Sequence, residues 1–456
     1  MKILLISPCQ NLESRQQKSV IFPQLALDLL AGLTPPGHDV SIIEEEFEDI
    51  PLDADCDLVG LSCMTSNAPR AYVLAREFKR RGRTVVLGGV HPTLLPEEAL
   101  RHADSVVIGE AEGVWARLLE DLQNGRLQRM YHDPRPPLDR YVPVRPRKGM
   151  TKGIFRVVPV MTTRGCPYDC DFCCVHDIYG ATVRHVPIAN VVRHIVDSGG
   201  RIFMFLDDNI VGDRGYAGDL FEAIRPLKIK WVGQASLSFV HDAELLRLAR
   251  ESGCGALFIG LESVSESRLG TMRKSIHEIG RVGEALRTLR EAGIYCLASV
   301  VFGFDEDTRR TFGETVEFLE KNLVGSASMN VLTPYPGTRV LRRLKEEGRI
   351  FTDDWAYYNH NTAVFRPKSM SPLELIAGRI WARAEFTKSS AVLRRFPANR
   401  AHPLLHLAIN RASWRSTMGQ IRGFSRMASE IARLEGPGSE RPSPTGEYRY
   451  EDHTPK

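Results

Sequence analysis

Short apolar runs alternate with helix-like patterns through the first 125 residues of the chain. Apolar and β-branched residues predict strands over 2–8, 38–45, 57–65, 83–89 and 105–109. Apolar residues at helical spacing predict helices over 22–33, 68–81 and 96–101. This alternation predicts an α/β fold with a doubly wound, Rossmann-like parallel sheet, whose ligands bind beyond the carboxyl ends of the strands.

Small and polar residues cluster where these predicted strands end. They are Ser62, Thr65, Gly88, Gly89, His91, Gly109 and Glu110. Glycine lets backbone approach a large ligand closely, and hydroxyl groups supply hydrogen bonds. No Gly-x-Gly-x-x-Gly opens a helix, so a nicotinamide or flavin dinucleotide is not supported. Taken alone, these loops are equally consistent with a sheet whose loops only turn the chain.

A second alternating series follows a stretch over 126–155 that is rich in proline and arginine and predicts a linker. Between 156 and 348 the predicted strands are 157–165, 201–208, 230–238, 256–263, 295–304 and 326–334. Amphipathic helices separate them, as over 242–252 and 277–292. Six such units predict a (β/α)6 partial TIM barrel, whose active site lies at the carboxyl ends of the strands.

Polar residues again gather at those ends. They are Asp207 and Asp208 after the second strand, Gln234 and Ser236 after the third, and Glu262 after the fourth. The paired carboxylates are explained either as helix caps or as contacts to a charged ligand. Acceptors at these positions suit a zwitterionic amino acid with ribose hydroxyls.

From 349 to 434 the pattern is helical without strands, and Ser371 followed by Pro372 marks a helix start. The polar positions there are mostly basic, which indicates a solvated helical face or, alternatively, contact with a membrane surface or an anionic substrate. Residues 435–456, with several prolines and glycines, predict a disordered tail.

Composition narrows the function classes. The 456 residues are 43% hydrophobic and 25% charged, as in soluble globular proteins, and the length predicts two or three domains. A formal net charge of +4 does not indicate a nucleic-acid partner. The first residues predict a strand rather than a signal peptide and no apolar run is long enough to span a membrane, so we expect a cytoplasmic protein. Four of the nine cysteines lie within 166–174, which favours a metal site over disulfides.

Cys166, Cys170 and Cys173 are spaced Cys-x-x-x-Cys-x-x-Cys directly after the first predicted barrel strand. Soft thiolates this close together suit an iron-sulfur cluster or zinc. Three cysteines on a [4Fe-4S] cluster leave one iron open for a ligand from outside the protein. The alternative is a structural zinc site completed by Cys174 or His176, although zinc ligands usually come as two separated pairs.

This cysteine motif, with the aromatic Phe172 before its third cysteine, resembles the signature of the radical S-adenosylmethionine (SAM) superfamily. The chain also resembles the cobalamin-binding class of radical SAM enzymes, which includes the class B methyltransferases. This resemblance lies in the domain order and in two loops, Gly88-Gly89-Val90-His91-Pro92-Thr93 and Gly109-Glu110-Ala111-Glu112. The resemblance implies three cofactors: a [4Fe-4S] cluster on the three cysteines, SAM near Phe172 and Glu262, and cobalamin on the first domain. The loop over 9–18 has no histidine, so cobalamin would bind without a protein histidine on cobalt, unless the domain has kept the fold and lost the cofactor.

The resemblance implies an enzyme that methylates an unactivated carbon through a 5′-deoxyadenosyl radical and methylcobalamin. The alternatives are an enzyme with the same cofactors that catalyses a rearrangement, cyclisation or oxidation, and a non-catalytic metal protein. The expected partners are a small-molecule substrate such as a lipid, pigment or secondary metabolite, an electron donor such as flavodoxin or ferredoxin, and no nucleic acid. The residues Tyr335, Trp355, Tyr357, Tyr358 and His360 are candidates for the substrate pocket, although aromatics at a domain junction more often serve packing.

Overall fold

The computed structural model describes residues 1–10, 24–140, 157–264 and 279–436. Within these ranges the chain forms a doubly wound sheet, an open barrel and a helical C-terminal region. Residues 141–155 of the predicted linker and residues 437–456 of the predicted disordered tail lie outside the described residues. The α/β architecture predicted from the sequence is confirmed.

The first domain is a six-stranded parallel sheet with strand order β2-β1-β3-β4-β5-β6. Its strands are β1 (Lys2–Ser7), β2 (Asp39–Glu44), β3 (Leu58–Ser62), β4 (Thr84–Gly88), β5 (Ser105–Gly109) and β6 (Met130–Asp133). Its helices are α1 (Leu25–Leu33), α2 (Ala68–Arg80), α3 (Val90–Leu94), α4 (Pro96–Leu100) and α5 (Trp115–Gln123). The strand order reverses direction at β1 and β3, which places the ligand crevice of such a sheet at their carboxyl ends.

Helices cover both faces of this sheet, so its strands are apolar on both sides. Along β1, Leu4 and Ile6 pack in the cluster that contains Phe78 of α2, and Ile3 and Leu5 pack in the cluster that contains Trp115 of α5. This two-sided burial explains why β1 is a continuous apolar run and not an alternating one.

The sixth strand corrects the predicted linker, which was placed from residue 126 onward. β6 pairs in parallel with β5 at the sheet edge, with Val107 opposite Tyr131. Tyr131 is buried and its hydroxyl donates a hydrogen bond to Asp121 at 2.9 Å. The strand escaped prediction because a four-residue edge strand with one buried side chain carries almost no periodic signal.

The second domain is an open barrel of six parallel strands in the order β14-β13-β12-β11-β10-β7. These are β7 (Val157–Val160), β10 (Ile202–Phe205), β11 (Lys230–Ala235), β12 (Cys254–Glu262), β13 (Tyr295–Phe302) and β14 (Ser326–Val331). Two short strands, β8 (Thr163–Arg164) and β9 (Arg184–His185), form an antiparallel pair between β7 and β10. The helices are α6 (Val175–Tyr179), α7 (Ile188–Ser198), α8 (Arg214–Ile224), α9 (Ala243–Glu251), α10 (Ile279–Glu291), α11 (Arg310–Lys321) and α12 (Arg339–Glu346).

The inner face of this barrel is a concave surface and not a filled core. Outward-pointing strand residues are buried beneath the helices, whereas most inward-pointing ones keep exposed surface. The inward-pointing residues include Met204, Val232, Gln234, Phe258, Leu297 and Val301. A closed eight-stranded barrel fills this space with layers of side chains, so the open barrel has room for a large ligand.

The C-terminal region consists of α13 (Pro372–Thr387), α14 (Ser389–Arg395) and α15 (Pro403–Glu435). The predicted start at Ser371 is confirmed: its hydroxyl accepts a hydrogen bond from the Glu374 amide at 3.2 Å, and Glu374 accepts one from the Ser371 amide. α13 covers the free edge of β14, where Arg379 donates to the Met329 carbonyl at 3.4 Å. α15 is one continuous helix. Among the described helices, none combines the length and apolar character needed to cross a membrane.

Candidate active site

The three motif cysteines lie in the loop between β8 and α6, at the carboxyl mouth of the barrel. Each is partly exposed, and none of the chain's nine cysteines forms a disulfide. The loop begins at Gly165, where glycine is required for two reasons. Its φ is +93°, and a Cβ at this position would lie 2.5 Å from the Thr182 carbonyl oxygen. A hydrogen bond from the Cys173 amide to the Cys170 carbonyl at 3.2 Å keeps the second and third cysteines in one turn.

Two carboxylates hold this loop from the neighbouring strand β10. Asp207 is buried, and its Oδ1 accepts hydrogen bonds from the Thr162 amide at 3.0 Å, the hydroxyls of Thr162 and Thr163 at 2.7 Å each, and the Thr163 amide. Asp208 accepts the Gly165 amide at 3.1 Å, and burial raises the pKa of its carboxyl to about 6. Neither residue caps a helix, because Asp213 caps α8. Asp207 therefore positions the cysteine loop and is too buried to contact a ligand, which corrects its prediction as a cofactor contact.

The other predicted SAM contacts lie at the same mouth. Gln234 is exposed on β11 and donates to the Asp208 carbonyl at 2.9 Å, and Ser236 shares a hydrogen bond of 3.2 Å with Ser238. Glu262 ends β12 after a bulge, with a φ of +60° that an L-residue seldom adopts. Phe172 packs edge-on against Phe304, 5.9 Å between ring centres. The fold thus brings these four predicted residues together.

The loop's donor set fits an iron-sulfur cluster. Three thiols and no disulfide are available within one loop, as soft metals require. Burial raises the pKa of the Cys173 thiol to about 12, so its thiolate needs the positive charge of a bound metal. Within the described ranges no three His, Cys, Asp or Glu side chains already stand in metal-coordinating geometry.

The predicted cobalamin loops meet at the carboxyl edge of the first sheet. Gly89 has a φ of +99°, and a Cβ there would lie 2.7 Å from the Cys63 carbonyl oxygen and 3.1 Å from the Ser62 hydroxyl. Thr93 ties the loops together, because its hydroxyl donates to the Gly89 carbonyl at 2.8 Å and accepts the Gly109 amide at 2.9 Å. Ser62, Gly88 and Gly109 retain exposed surface, so this edge fits a ligand that approaches backbone closely.

Thr65 and His91 occupy a different environment from the one predicted. Both side chains are buried, and His91 lies 3.4 Å from the Thr65 hydroxyl and 3.3 Å from Glu98. Glu98 also accepts hydrogen bonds from Tyr72 at 3.0 Å and from Trp355 of the C-terminal region at 3.0 Å. Glu98 therefore joins this group to the C-terminal region, and the buried side chains of Thr65 and His91 are not accessible to a ligand in the crevice.

Glu110 also differs from its prediction as a cofactor contact. It is buried, lies 2.9 Å from Arg164 and also pairs with Arg184, while Glu112 pairs with Arg164. Arg164 directly precedes Gly165, the first residue of the cysteine loop. We call these four residues the interdomain charge cluster. It fixes the carboxyl edge of the first sheet against the mouth of the barrel, so that the two predicted cofactor regions face each other.

The edge strands of the barrel, β7 and β14, are joined at the mouth by their following loops. Arg339, at the start of α12, pairs with Asp171 at 2.7 Å and with Asp169 at 2.8 Å within the cysteine loop. The Val340 amide also donates to the Asp171 carbonyl at 3.2 Å. This contact was not predicted from the sequence. The only local pattern that indicates it is the alternation of acids and cysteines over 166–173, which places carboxylates beside the thiols.

Comparisons with known proteins agree with this geometry. The model of the radical SAM superfamily matches residues 160–319, and that of the B12 binding domain matches residues 20–119. Bacteriochlorophyllide d C-8(2)-methyltransferase of Chlorobaculum tepidum is 30% identical over 427 residues, covering 88% of this chain and 93% of the relative. The chain belongs to the cobalamin-binding radical SAM family.

A second relative of this family, bacteriochlorophyllide d C-12(1)-methyltransferase of the same organism, is 30% identical over 415 residues, covering 86% of this chain and 89% of the relative. The solved structure of the methyltransferase TsrM from Kitasatospora setae has a TM-score of 0.64 at 17% identity, covering 76% of this chain and 78% of TsrM. That of OxsB, with aqua-cobalamin bound, has a TM-score of 0.66 at 16% identity, covering 95% of this chain and 76% of OxsB. At these identities TsrM and OxsB share the fold of this radical SAM protein.

The predictions of family, enzyme class and cofactors are therefore confirmed. This radical SAM enzyme is a C-methyltransferase, and it uses a [4Fe-4S] cluster, SAM and cobalamin. It acts on a small molecule. The assignment of individual cofactor contacts stays a prediction.

Proposed function

We propose that this enzyme methylates an unactivated carbon of a bacteriochlorophyllide-type tetrapyrrole. The observation that carries the proposal is the open, largely apolar inner face of the barrel in a chain that matches two bacteriochlorophyllide d methyltransferases over most of their length. Such a pigment is a large, flat, mostly apolar macrocycle. The partly exposed side chains of Met204, Phe258, Leu297 and Val301 offer it a matching apolar surface.

Each part of the site has a proposed task. Cys166, Cys170 and Cys173 hold the cluster, and Gln234, Ser236 and Glu262 accept hydrogen bonds from the ammonium and ribose groups of SAM. When bound, the three cofactors supply the radical and the methyl group that form the new carbon–carbon bond.

The carboxyl edge of the first sheet, with Ser62, Gly88, Gly89 and Gly109, holds cobalamin opposite the barrel mouth. The interdomain charge cluster keeps the two halves of the site together and excludes water between them.

The experiment is anaerobic turnover of bacteriochlorophyllide d by the reconstituted enzyme, followed by mass spectrometry. A gain of one methylene unit is expected, and it should vanish in the variant with alanine at Cys166, Cys170 and Cys173. Cys174→Ala is the matched control, because that cysteine lies outside the motif. Deoxyadenosine with a pigment product that has gained no carbon would instead support a rearrangement, cyclisation or oxidation.

We also propose that the enzyme works in a reducing, cytoplasmic compartment and receives electrons from a flavodoxin or ferredoxin. None of the nine cysteines forms a disulfide, which supports a reducing environment. Reduction of the reconstituted cluster by reduced flavodoxin, followed by its absorption spectrum, tests the donor; no bleaching of the cluster band would contradict it.

The outer face of α15 supports a further proposal, contact with an anionic membrane surface. Leu404 is 79% exposed and Leu407 is 42% exposed, and Arg411, Arg415 and Arg422 follow at helical spacing on the same face. No acidic residue occurs between 403 and 429. Exposed leucines beside arginines match a surface of apolar chains beneath negative headgroups.

Vesicle co-sedimentation tests this contact. Phosphatidylglycerol vesicles should retain the protein at low salt and release it at high salt, and Arg411→Gln with Arg415→Gln should weaken retention. Arg247→Gln on α9 is the control. Equal retention on neutral vesicles, or self-association of the protein without vesicles, would contradict the proposal.

A further inference from the structure

Tyr335 and His360 form a polar pair at the mouth of the barrel. The Tyr335 hydroxyl lies 3.0 Å from His360 Nε2, with the two rings edge to face at 5.4 Å. Tyr335 follows β14, and His360 comes from the segment before α13. The pair therefore joins a barrel loop to the C-terminal region.

The backbone of His360 is held on both sides. Its amide donates to the Thr333 hydroxyl at 3.1 Å, and its carbonyl accepts the Val331 amide at 2.7 Å. These bonds keep the residue at a φ of +64°, a left-handed conformation that is strained for histidine. Strain of this kind persists where the surrounding structure fixes it, and it is concentrated at ligand sites.

The proton positions in the pair follow from its hydrogen bonds. Burial raises the pKa of Tyr335 and lowers the pKa of His360, so both side chains are neutral near pH 7. A neutral imidazole carries one N–H, and the Tyr335 hydroxyl makes no other hydrogen bond among the described residues, so we assign its proton to the bond with His360 Nε2. The N–H of His360 is then at Nδ1, which has no hydrogen-bond partner within residues 1–10, 24–140, 157–264 and 279–436.

The pair lies beside the cysteine loop. The loop that carries Tyr335 continues to Gly337, where a Cβ would lie 3.2 Å from Asp177 of α6, and to Arg339, which binds Asp169 and Asp171. His360 is exposed and thus offers a neutral hydrogen-bond donor at the carboxyl end of β14, the end of the barrel that also carries the cysteine loop.

We propose that His360 Nδ1–H, oriented by Tyr335, anchors the substrate by donating a hydrogen bond to a carbonyl or carboxylate oxygen of the pigment. The inference rests on the proposed function, because it needs a mostly apolar macrocycle with few polar atoms. An apolar surface alone leaves such a macrocycle free to rotate within its plane. One fixed donor at the rim selects the orientation in which a particular carbon faces the cofactors.

The test measures binding of bacteriochlorophyllide d to the reconstituted enzyme by pigment absorbance. His360→Ala should weaken binding about tenfold, as expected for the loss of one hydrogen bond to a charged or strongly polar oxygen. His360→Asn should restore most of the affinity, because asparagine tolerates the left-handed backbone and keeps an N–H near Nδ1. Tyr335→Phe should give a loss of about threefold, because the ring no longer favours the Nδ1–H tautomer.

Pigment analogues identify the oxygen. If His360 binds the propionate carboxylate, esterifying that group should make wild type and His360→Ala bind the pigment equally. If His360 binds the ring carbonyl, reducing that carbonyl should have the same effect. His132→Ala, an exposed histidine on β6, is the control and should bind like wild type. Equal binding by wild type and His360→Ala overturns the anchor and leaves the proposed function standing, whereas absence of binding by the wild type overturns both.

Discussion

Removing Arg164 should destabilise the protein far more than removing an arginine from a surface ion pair. Arg164, Glu110 and Glu112 are 9%, 6% and 12% exposed as side chains, and Arg184 is 18% exposed. The two arginines balance the two glutamates. Arg164→Met leaves Glu112 as a buried carboxylate that has lost its arginine, a change that costs about 3–5 kcal/mol of unfolding free energy.

A second substitution distinguishes charge from packing. Glu112→Leu on the Arg164→Met background leaves only the balanced Glu110–Arg184 pair, so most of the lost stability should return. The assay is anaerobic urea denaturation, with midpoints compared among wild type, the single variant and the double variant. Arg225→Met, which breaks an exposed pair with Glu251, is the control and should cost less than about 1 kcal/mol. A double variant as unstable as Arg164→Met would refute the reasoning.

Three further predictions concern acid stability and the two metal cofactors. Burial lowers the pKa of His194 to about 4, so between pH 4 and pH 6.5 the unfolded chain binds more protons than the folded chain. The free energy of unfolding should therefore fall by about 2 kcal/mol from pH 7 to pH 5. The fall should be smaller for His194→Leu, as measured by urea denaturation at both pH values. Cys173→Ser should lose cluster iron by metal analysis, whereas Cys174→Ser should retain it, and equal loss would reassign the ligands. Gly89→Ala should lower cobalt retention with iron unchanged, because its Cβ would meet the Cys63 carbonyl oxygen, and normal cobalt content would show that this loop is not part of the cobalamin site.

Periodicity was sufficient for most of the fold. The strand predicted over 105–109 matches β5, and the other predicted strands contain the observed ones or overlap them. The first sheet is buried on both faces, so its strands are continuous apolar runs, whereas the barrel strands are buried mainly on the helical side and show a buried residue at about every second position. β6 was missed because an edge strand with one buried residue has too little pattern.

The candidate site was only partly predictable, because the sequence places a residue at the end of a strand without giving its partner. Gln234 and Glu262 came out at the barrel mouth as predicted. Asp207, His91 and Glu110 are also at strand ends, but each is buried against groups distant in sequence: threonines, Glu98, and two arginines of the other domain. Partners 7 to 74 residues away leave no local signal.

The part of the barrel mouth between β7 and β14 lies outside the hydrogen-bond ladder of the sheet. Among the described residues it is held by Arg339 with its two aspartates and by the Val340 amide. Substitutions in these loops therefore reshape the mouth without removing a strand-to-strand hydrogen bond. Members of the family can thus diverge in the molecules they admit while the scaffold that positions the cysteines remains the same.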